Sequence, residues 1–135
     1  MARVLHVDDD PTLRRAIQRL FRRSGLRVVS VASAAEAEAL LECEDFDLAV
    51  IDHQIGTDDG LELIERLAGS RSELVIILLS GSITRLVEQR ACELGVARCL
   101  SKALPASQIV GEVAALAGMS GIVSIAPRVV RATGS

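Results

Sequence analysis

The chain has 135 residues, half of them apolar, and a formal net charge of −3. That is room for one domain with a filled core, and it argues against disorder. The mild charge and the two lone aromatics, Phe21 and Phe46, argue against a nucleic-acid partner, and no apolar run reaches the ~18 residues of a membrane span.

Short apolar runs alternate with helically spaced segments. The runs are Arg3–Val7, Arg27–Val31, Leu48–Ile51, Leu74–Leu79 and Arg98–Leu100. Those at 48–51 and 74–79 are continuously apolar, as strands buried on both faces of a parallel sheet must be. The first helix places Leu13, Ile17, Leu20 and Phe21 on one stripe among arginines, and Gly25 is positioned to end it in a left-handed cap. Ser33 and Glu36 spell a capping box at the start of the second helix. The third follows Gly60 and is expected to bury Leu61, Ile64 and Leu67. The fourth runs from about Ile83 to Leu94 and stops at Gly95. The fifth begins near Pro105 and uses Ile109, Val113 and Leu116.

Five β-α units in strict alternation predict an α/β fold. It is a doubly wound, five-stranded parallel sheet in the flavodoxin-like order 2-1-3-4-5, with helices on both faces. The domain is expected to span residues 1–118, with 119–135 a linker or loosely docked tail. The three cysteines, Cys43, Cys92 and Cys99, show no metal or redox spacing and read as small buried hydrophobes in a reducing compartment. The opening MARVLHVDDD does not fit a signal peptide, so a cytoplasmic protein is expected.

In such a sheet, ligands gather beyond the carboxyl ends of the strands. Asp8, Asp9 and Asp10 follow the first strand, Asp52 ends the third, Ser80 and Gly81 follow the fourth, and Ser101 and Lys102 the fifth. Converging carboxylates repel one another unless a hard divalent cation joins them, and Asp8, Asp9 and Asp52 suit Mg²⁺. A carboxylate at the edge of such a site can accept a phosphoryl group, helped by the charge of Lys102, the only lysine, and the Ser80 hydroxyl. Asp10, in Asp10–Pro11–Thr12, reads as a helix cap. His53 reads as an exposed loop histidine.

The segments VLHVDDDPTLRRAIQRLF, DFDLAVIDHQIGTDDGLELI, LVIILLSGS and RCLSK resemble the response-regulator receiver domains of two-component signalling over about residues 3–117. The resemblance implies that Asp8 and Asp9 hold Mg²⁺, Asp52 is the phosphoacceptor, Ser80 the switch hydroxyl and Lys102 the phosphoryl contact. The backbone carbonyl of Gln54 would complete the metal shell. It also implies a histidine kinase or phosphotransfer protein as donor, and a homodimer or output protein on the face of the fourth helix, fifth strand and fifth helix. Such a domain is a signalling module and not an enzyme with a turnover substrate. The alternative is a pseudo-receiver, a phosphorylation-independent protein-binding module. An aspartyl-phosphate hydrolase of the haloacid dehalogenase type is set aside for want of a DxDxT nucleophile motif at the first strand.

Four positions depart from the family pattern. Gly56 stands where proline is common and should loosen the loop after Asp52. Gly81 replaces the usual alanine after Ser80. Ala103 replaces the proline after the lysine, so a trans bond becomes possible there. Cys99 replaces the switching aromatic and should leave a small gap.

Overall fold

The computed structural model describes residues 2–71, 73–118 and 128–131. Six parallel strands form the main sheet: β1 (Arg3–Val7), β2 (Arg27–Val31), β3 (Leu48–Asp52), β6 (Val75–Ser80), β7 (Arg98–Ser101) and β8 (Arg128–Val130). Between β3 and β6 a small antiparallel pair, β4 (Gln54–Ile55) and β5 (Asp58–Asp59), projects from the strand ends. The order is β2-β1-β3-β6-β7-β8. Its first five members reproduce the expected flavodoxin-like winding.

Among the described residues, five helices cover the two faces: α1 (Pro11–Ser24), α2 (Ala34–Cys43), α3 (Gly60–Ser70), α4 (Arg85–Glu93) and α5 (Ala106–Ala117). Alternate residues of each central strand divide between two cores. Ala49, Ile51, Ile76 and Leu78 pack with Ala37 and Leu41 of α2, Leu63 and Ile64 of α3 and Ala91 of α4. Leu48, Val50, Ile77 and Leu79 pack with Ile17 and Phe21 of α1 and Ile109 and Val113 of α5. Each fully buried Val, Leu, Ile or Phe among these contributes about 1.5–3 kcal/mol of transfer free energy.

Local chemistry sets the helix limits. Asp10 accepts from the amides of Thr12 and Leu13 at the head of α1, and Gly25, at φ 76°, closes it. The Ser33 hydroxyl accepts from the Glu36 amide, while the Glu36 carboxylate reaches back to the Ala32 amide. Thr84 accepts from the Val87 amide and so starts α4 two residues later than its apolar pattern begins. In α3 the buried trio is Leu63, Ile64 and Leu67. Leu61, expected in the core, only packs against its margin.

Two expectations need correcting. The sheet has a sixth strand, since Arg128–Val130 of the expected tail pairs in parallel with β7. Cys43 and Cys92 are exposed, and only Cys99 is buried. Gly56, at φ 61°, occupies the two-residue turn of the β4–β5 hairpin, between Ile55 and Asp58. Thr57 has a negative φ, so the turn has the type II′ pattern, which puts glycine first and excludes proline there. The Lys102–Ala103 bond is trans.

Candidate functional site

The strand order reverses at β1 and β3, because β1 has β2 on one side and β3 on the other. The crevice beyond their carboxyl ends is where such folds collect ligands. Register brings the candidate residues to it. Val7 pairs with Ile51, so the next residues, Asp8 and Asp52, emerge side by side. Asp52 pairs with Leu79 on its other flank, Ser80 pairs with Ser101, and the Lys102 amide donates to the Ser80 carbonyl at 2.9 Å. Asp8, Asp52, Ser80 and Lys102 thus come from four neighbouring strands and meet at one end of the sheet.

Asp8 is fully buried and Asp52 is 2% exposed, whereas Asp9 is exposed. Carboxylate oxygens of the three lie within 4.8 Å of one another. The Lys102 ammonium lies 2.5 Å from Asp52 Oδ2 and 3.3 Å from Asp8 Oδ1. The backbone of Gln54 is held beside the site, its amide donating to Asp52 Oδ1 at 3.3 Å, while its side chain is exposed.

One cation does not balance two buried carboxylates, and the two respond differently. Burial pushes the Asp8 carboxyl up, but the His6 ring, the Asp10 amide and Lys102 outweigh it, and Asp8 stays below the ordinary carboxylate range. Burial also pushes Asp52 up. The neighbouring Asp8 charge adds to the rise, Lys102 offsets only part of it, and Asp52 stays above the ordinary range. Lys102 loses some of its proton affinity to burial and regains more from Asp52 and Asp8, so it stays above its usual value. Asp8 Oδ2 has no hydrogen-bond partner among the described residues. His6 Nε2 is 3.6 Å from it, too far for a hydrogen bond, while His6 Nδ1 lies 3.2 Å from the Ser30 hydroxyl. A buried, unpartnered carboxylate oxygen beside two more carboxylates fits a hard divalent cation of the Mg²⁺ kind.

The Ser80 hydroxyl donates to the Ser82 carbonyl at 2.9 Å and accepts from the Ser82 amide at 3.2 Å. His53 is half-buried, not exposed as expected, and its Nδ1 lies 3.2 Å from the Ser80 hydroxyl. Its position next to Asp52 was the one available signal of this role. Gly60 lies close behind Asp52. Its amide donates to the His53 carbonyl at 2.7 Å, and a Cβ at this position would sit 1.9 Å from the Asp52 carbonyl oxygen. Only glycine lets α3 begin this near the acceptor strand.

The string Asp8-Asp9-Asp10-Pro11-Thr12 does have DxDxT spacing, so the hydrolase rival is not excluded by motif. Geometry separates the two. Asp10 is committed to the α1 cap, and the partners of Asp8 come from β3 and from the end of β7.

This arrangement defines a doubly wound α/β module with an acidic site and one lysine beyond its strand ends. The chain belongs to the response regulator receiver domain family, whose pattern matches residues 4–114. It is 34% identical over 105 residues to the regulatory protein VirG of Rhizobium rhizogenes, covering 76% of this chain and 42% of that protein. It is also 34% identical over 103 residues to a putative transcriptional regulator of Pseudomonas aeruginosa, covering 76% of this chain and 50% of that one. The chain therefore spans about half the length, or less, of these curated relatives. In fold it resembles the receiver domain of the Francisella response regulator 1452, with a TM-score of 0.79 at 23% identity over 86% of this chain and 96% of that one. A Burkholderia pseudomallei response regulator with a phosphorylated aspartic acid and a calcium ion has a TM-score of 0.74 at 24% identity, over 90% of this chain and 76% of that one. Among the described residues no helix is long and apolar enough to cross a membrane.

Proposed function

We propose that this receiver domain takes a phosphoryl group onto Asp52 from a phosphohistidine of a histidine kinase or phosphotransfer protein, and that the change alters a protein-binding surface. The observation that carries this reading is the convergence of Asp8, Asp9, Asp52 and Lys102, with a buried carboxylate oxygen of Asp8 left unpartnered. Asp8, Asp9, Asp52 and the Gln54 carbonyl would hold Mg²⁺. When bound, the ion would neutralise phosphoryl oxygens and align the donor.

The residues of the chain do the rest. An oxygen of Asp52 forms a bond to phosphorus as the P–N bond of phosphohistidine breaks, and the electron pair stays with the imidazole nitrogen. Asp52 is suited to this because its carboxylate ends β3 at the mouth of the site, beside Asp8 and in contact with Lys102. Lys102 turns from the carboxylate to the new phosphoryl oxygens, supplying charge without a proton transfer. Ser80 exchanges the Ser82 carbonyl for a phosphoryl oxygen, which obliges the loop 80–84 to move. No substrate is turned over, so the domain acts as a switch and not as an enzyme.

The test is intact-mass measurement after treatment with acetyl phosphate and Mg²⁺. One phosphate should add to the wild type and none to Asp52→Asn. Labelling that survives the substitution would refute the assignment. No labelling of either protein would favour a phosphorylation-independent binding module.

A further inference from the structure

The outer edge of β7 is covered by the chain's own C-terminal segment. Arg98, Cys99 and Leu100 pair in parallel with Arg128, Val129 and Val130. An uncovered edge strand presents unpaired amides and carbonyls, and an extended segment is the natural ligand for it. The segment also fills space on both faces. Val129, paired with Cys99, lies with Ile83 and Val87 at the margin of one core, and Val130 lies at the margin of the other, which holds Leu100. Cys99, paired with Val129 of this segment, is fully buried.

Beyond the strand, Arg131 reaches α4. Its guanidinium donates to the Ile83 carbonyl at 3.3 Å and lies 3.7 Å from the Glu88 carboxylate. Ile83 belongs to the loop between Ser80 and α4. The last residue of the covering segment is therefore tied to the loop that must move when Ser80 changes partners.

We propose that the β7 edge is a strand-binding surface whose occupant in the unphosphorylated domain is residues 128–131, and that phosphorylation releases this occupant. The proposal rests on the phosphoacceptor reading given above. Movement of the loop withdraws the Ile83 carbonyl from Arg131 and displaces Ile83 from the core margin it shares with Val129, which removes the polar tie and loosens the apolar seat. Linkage makes the effect reciprocal: a change that detaches the segment favours the phosphorylated conformation by the same factor.

The experiment uses the full chain with Cys43→Ser and Cys92→Ser, leaving Cys99 as the one reactive probe. Beryllofluoride with Mg²⁺ serves as the phosphoryl analogue, and its occupancy is followed by fluorine NMR. Thiol labelling of Cys99 is expected to speed up at least tenfold on beryllofluoride binding, and hydrogen exchange at amides 98–100 and 128–130 to rise with it. Val129→Asp should give fast labelling without the analogue and bind beryllofluoride several-fold more tightly. Arg131→Ala, which keeps the apolar strand, should shift both readouts the same way by a smaller factor. Unchanged labelling and exchange in protein that has bound beryllofluoride would overturn the proposal and leave the phosphoacceptor reading intact. Failure of the wild type to bind beryllofluoride at all would overturn both.

Discussion

Nδ1 of His53 lies 3.2 Å from the hydroxyl oxygen of Ser80, while Nε2 of the same ring is 4.0 Å from Asp59 at the start of α3. Under the proposed function, the residue after the acceptor thus holds the hydroxyl that would turn toward it. To reach a phosphoryl group on Asp52, Ser80 gives up this contact as well as its bond to the Ser82 carbonyl. A hydrogen bond of this kind contributes about 0.5–1.5 kcal/mol. His53→Ala should therefore tighten beryllofluoride binding by roughly two- to tenfold, since 1.4 kcal/mol is a factor of ten. Titration of the two proteins against the analogue checks it. Equal affinities would mean that the ring merely rests beside the loop.

Asp8 and Asp52 are both buried, yet they are displaced in opposite directions from the ordinary carboxylate value, Asp8 below and Asp52 above. In metal-free protein near neutral pH, ionised Asp52 therefore destabilises the fold and ionised Asp8 stabilises it. Asp52→Asn should raise the melting temperature and Asp8→Asn should lower it, each by about 3 °C or more if the effect approaches 1 kcal/mol. The signs follow from where each group titrates. For Asp52, the destabilisation is complete above its raised folded value and vanishes below the unfolded value, near 4. For Asp8, the stabilisation is present above the unfolded value and is lost only as pH falls through its lowered folded value. Melting curves in chelator between pH 3 and pH 8 test this. Shifts of the same sign at neutral pH would contradict it.

How far the sequence carried depended on whether an element's signal was local. Continuous apolar runs made β3 and β6 legible, and Asp10, Gly25 and the Ser33–Glu36 pair marked helix limits through hydrogen bonds made within a few residues. The quartet Asp8, Asp52, Ser80 and Lys102 was legible for the same reason: the first three end or directly follow an apolar run, and Lys102 stands one residue further on, after Ser101. What escaped depends on long-range contacts. β8 is three residues long and exists because β7 and two cores receive it, so its own residues show only a short apolar pair. The contact between His53 and Ser80 joins residues 27 positions apart. The β4–β5 hairpin lies in a polar stretch with no apolar alternation to announce it, and it shows only in the pairing of Gln54 and Ile55 with Asp59 and Asp58.

Lys102 and a bound divalent cation would both neutralise the same two carboxylates, since its ammonium already contacts Asp52 and Asp8. Before phosphorylation the two cations repel each other across the site. Lys102→Ala should therefore bind Mg²⁺ more tightly than the wild type, by several-fold, while losing the structural response to beryllofluoride. Isothermal titration with Mg²⁺ and exchange measurements with the analogue report the two effects separately. Weaker Mg²⁺ binding in the variant would show that the lysine organises the carboxylates more than it competes for them.

Gly60 offers the sharpest test of how the fold aims the acceptor. Its buried Cα faces the backbone of Asp52 and His53, and a methyl group there would meet the Asp52 carbonyl oxygen at 1.9 Å, its carbonyl carbon at 2.9 Å and His53 Cα at 3.0 Å. All three are backbone atoms, so no side chain can rotate away to make room. Either α3 retreats from the sheet or the end of β3 shifts. The first response disturbs the seat of Leu63 and Ile64, which are fully buried. The second displaces the Asp52 carboxylate from Asp8 and Lys102. Overpacking of this kind costs about 1–3 kcal/mol, and more where backbone must move. Gly60→Ala should therefore lower the denaturant midpoint clearly and, in the molecules that remain folded, slow phosphorylation by acetyl phosphate at least tenfold. Denaturant unfolding and the initial rate of mass increase measure the two consequences on one sample. Wild-type stability together with a wild-type rate would mean that α3 does not press on the acceptor strand as the geometry requires.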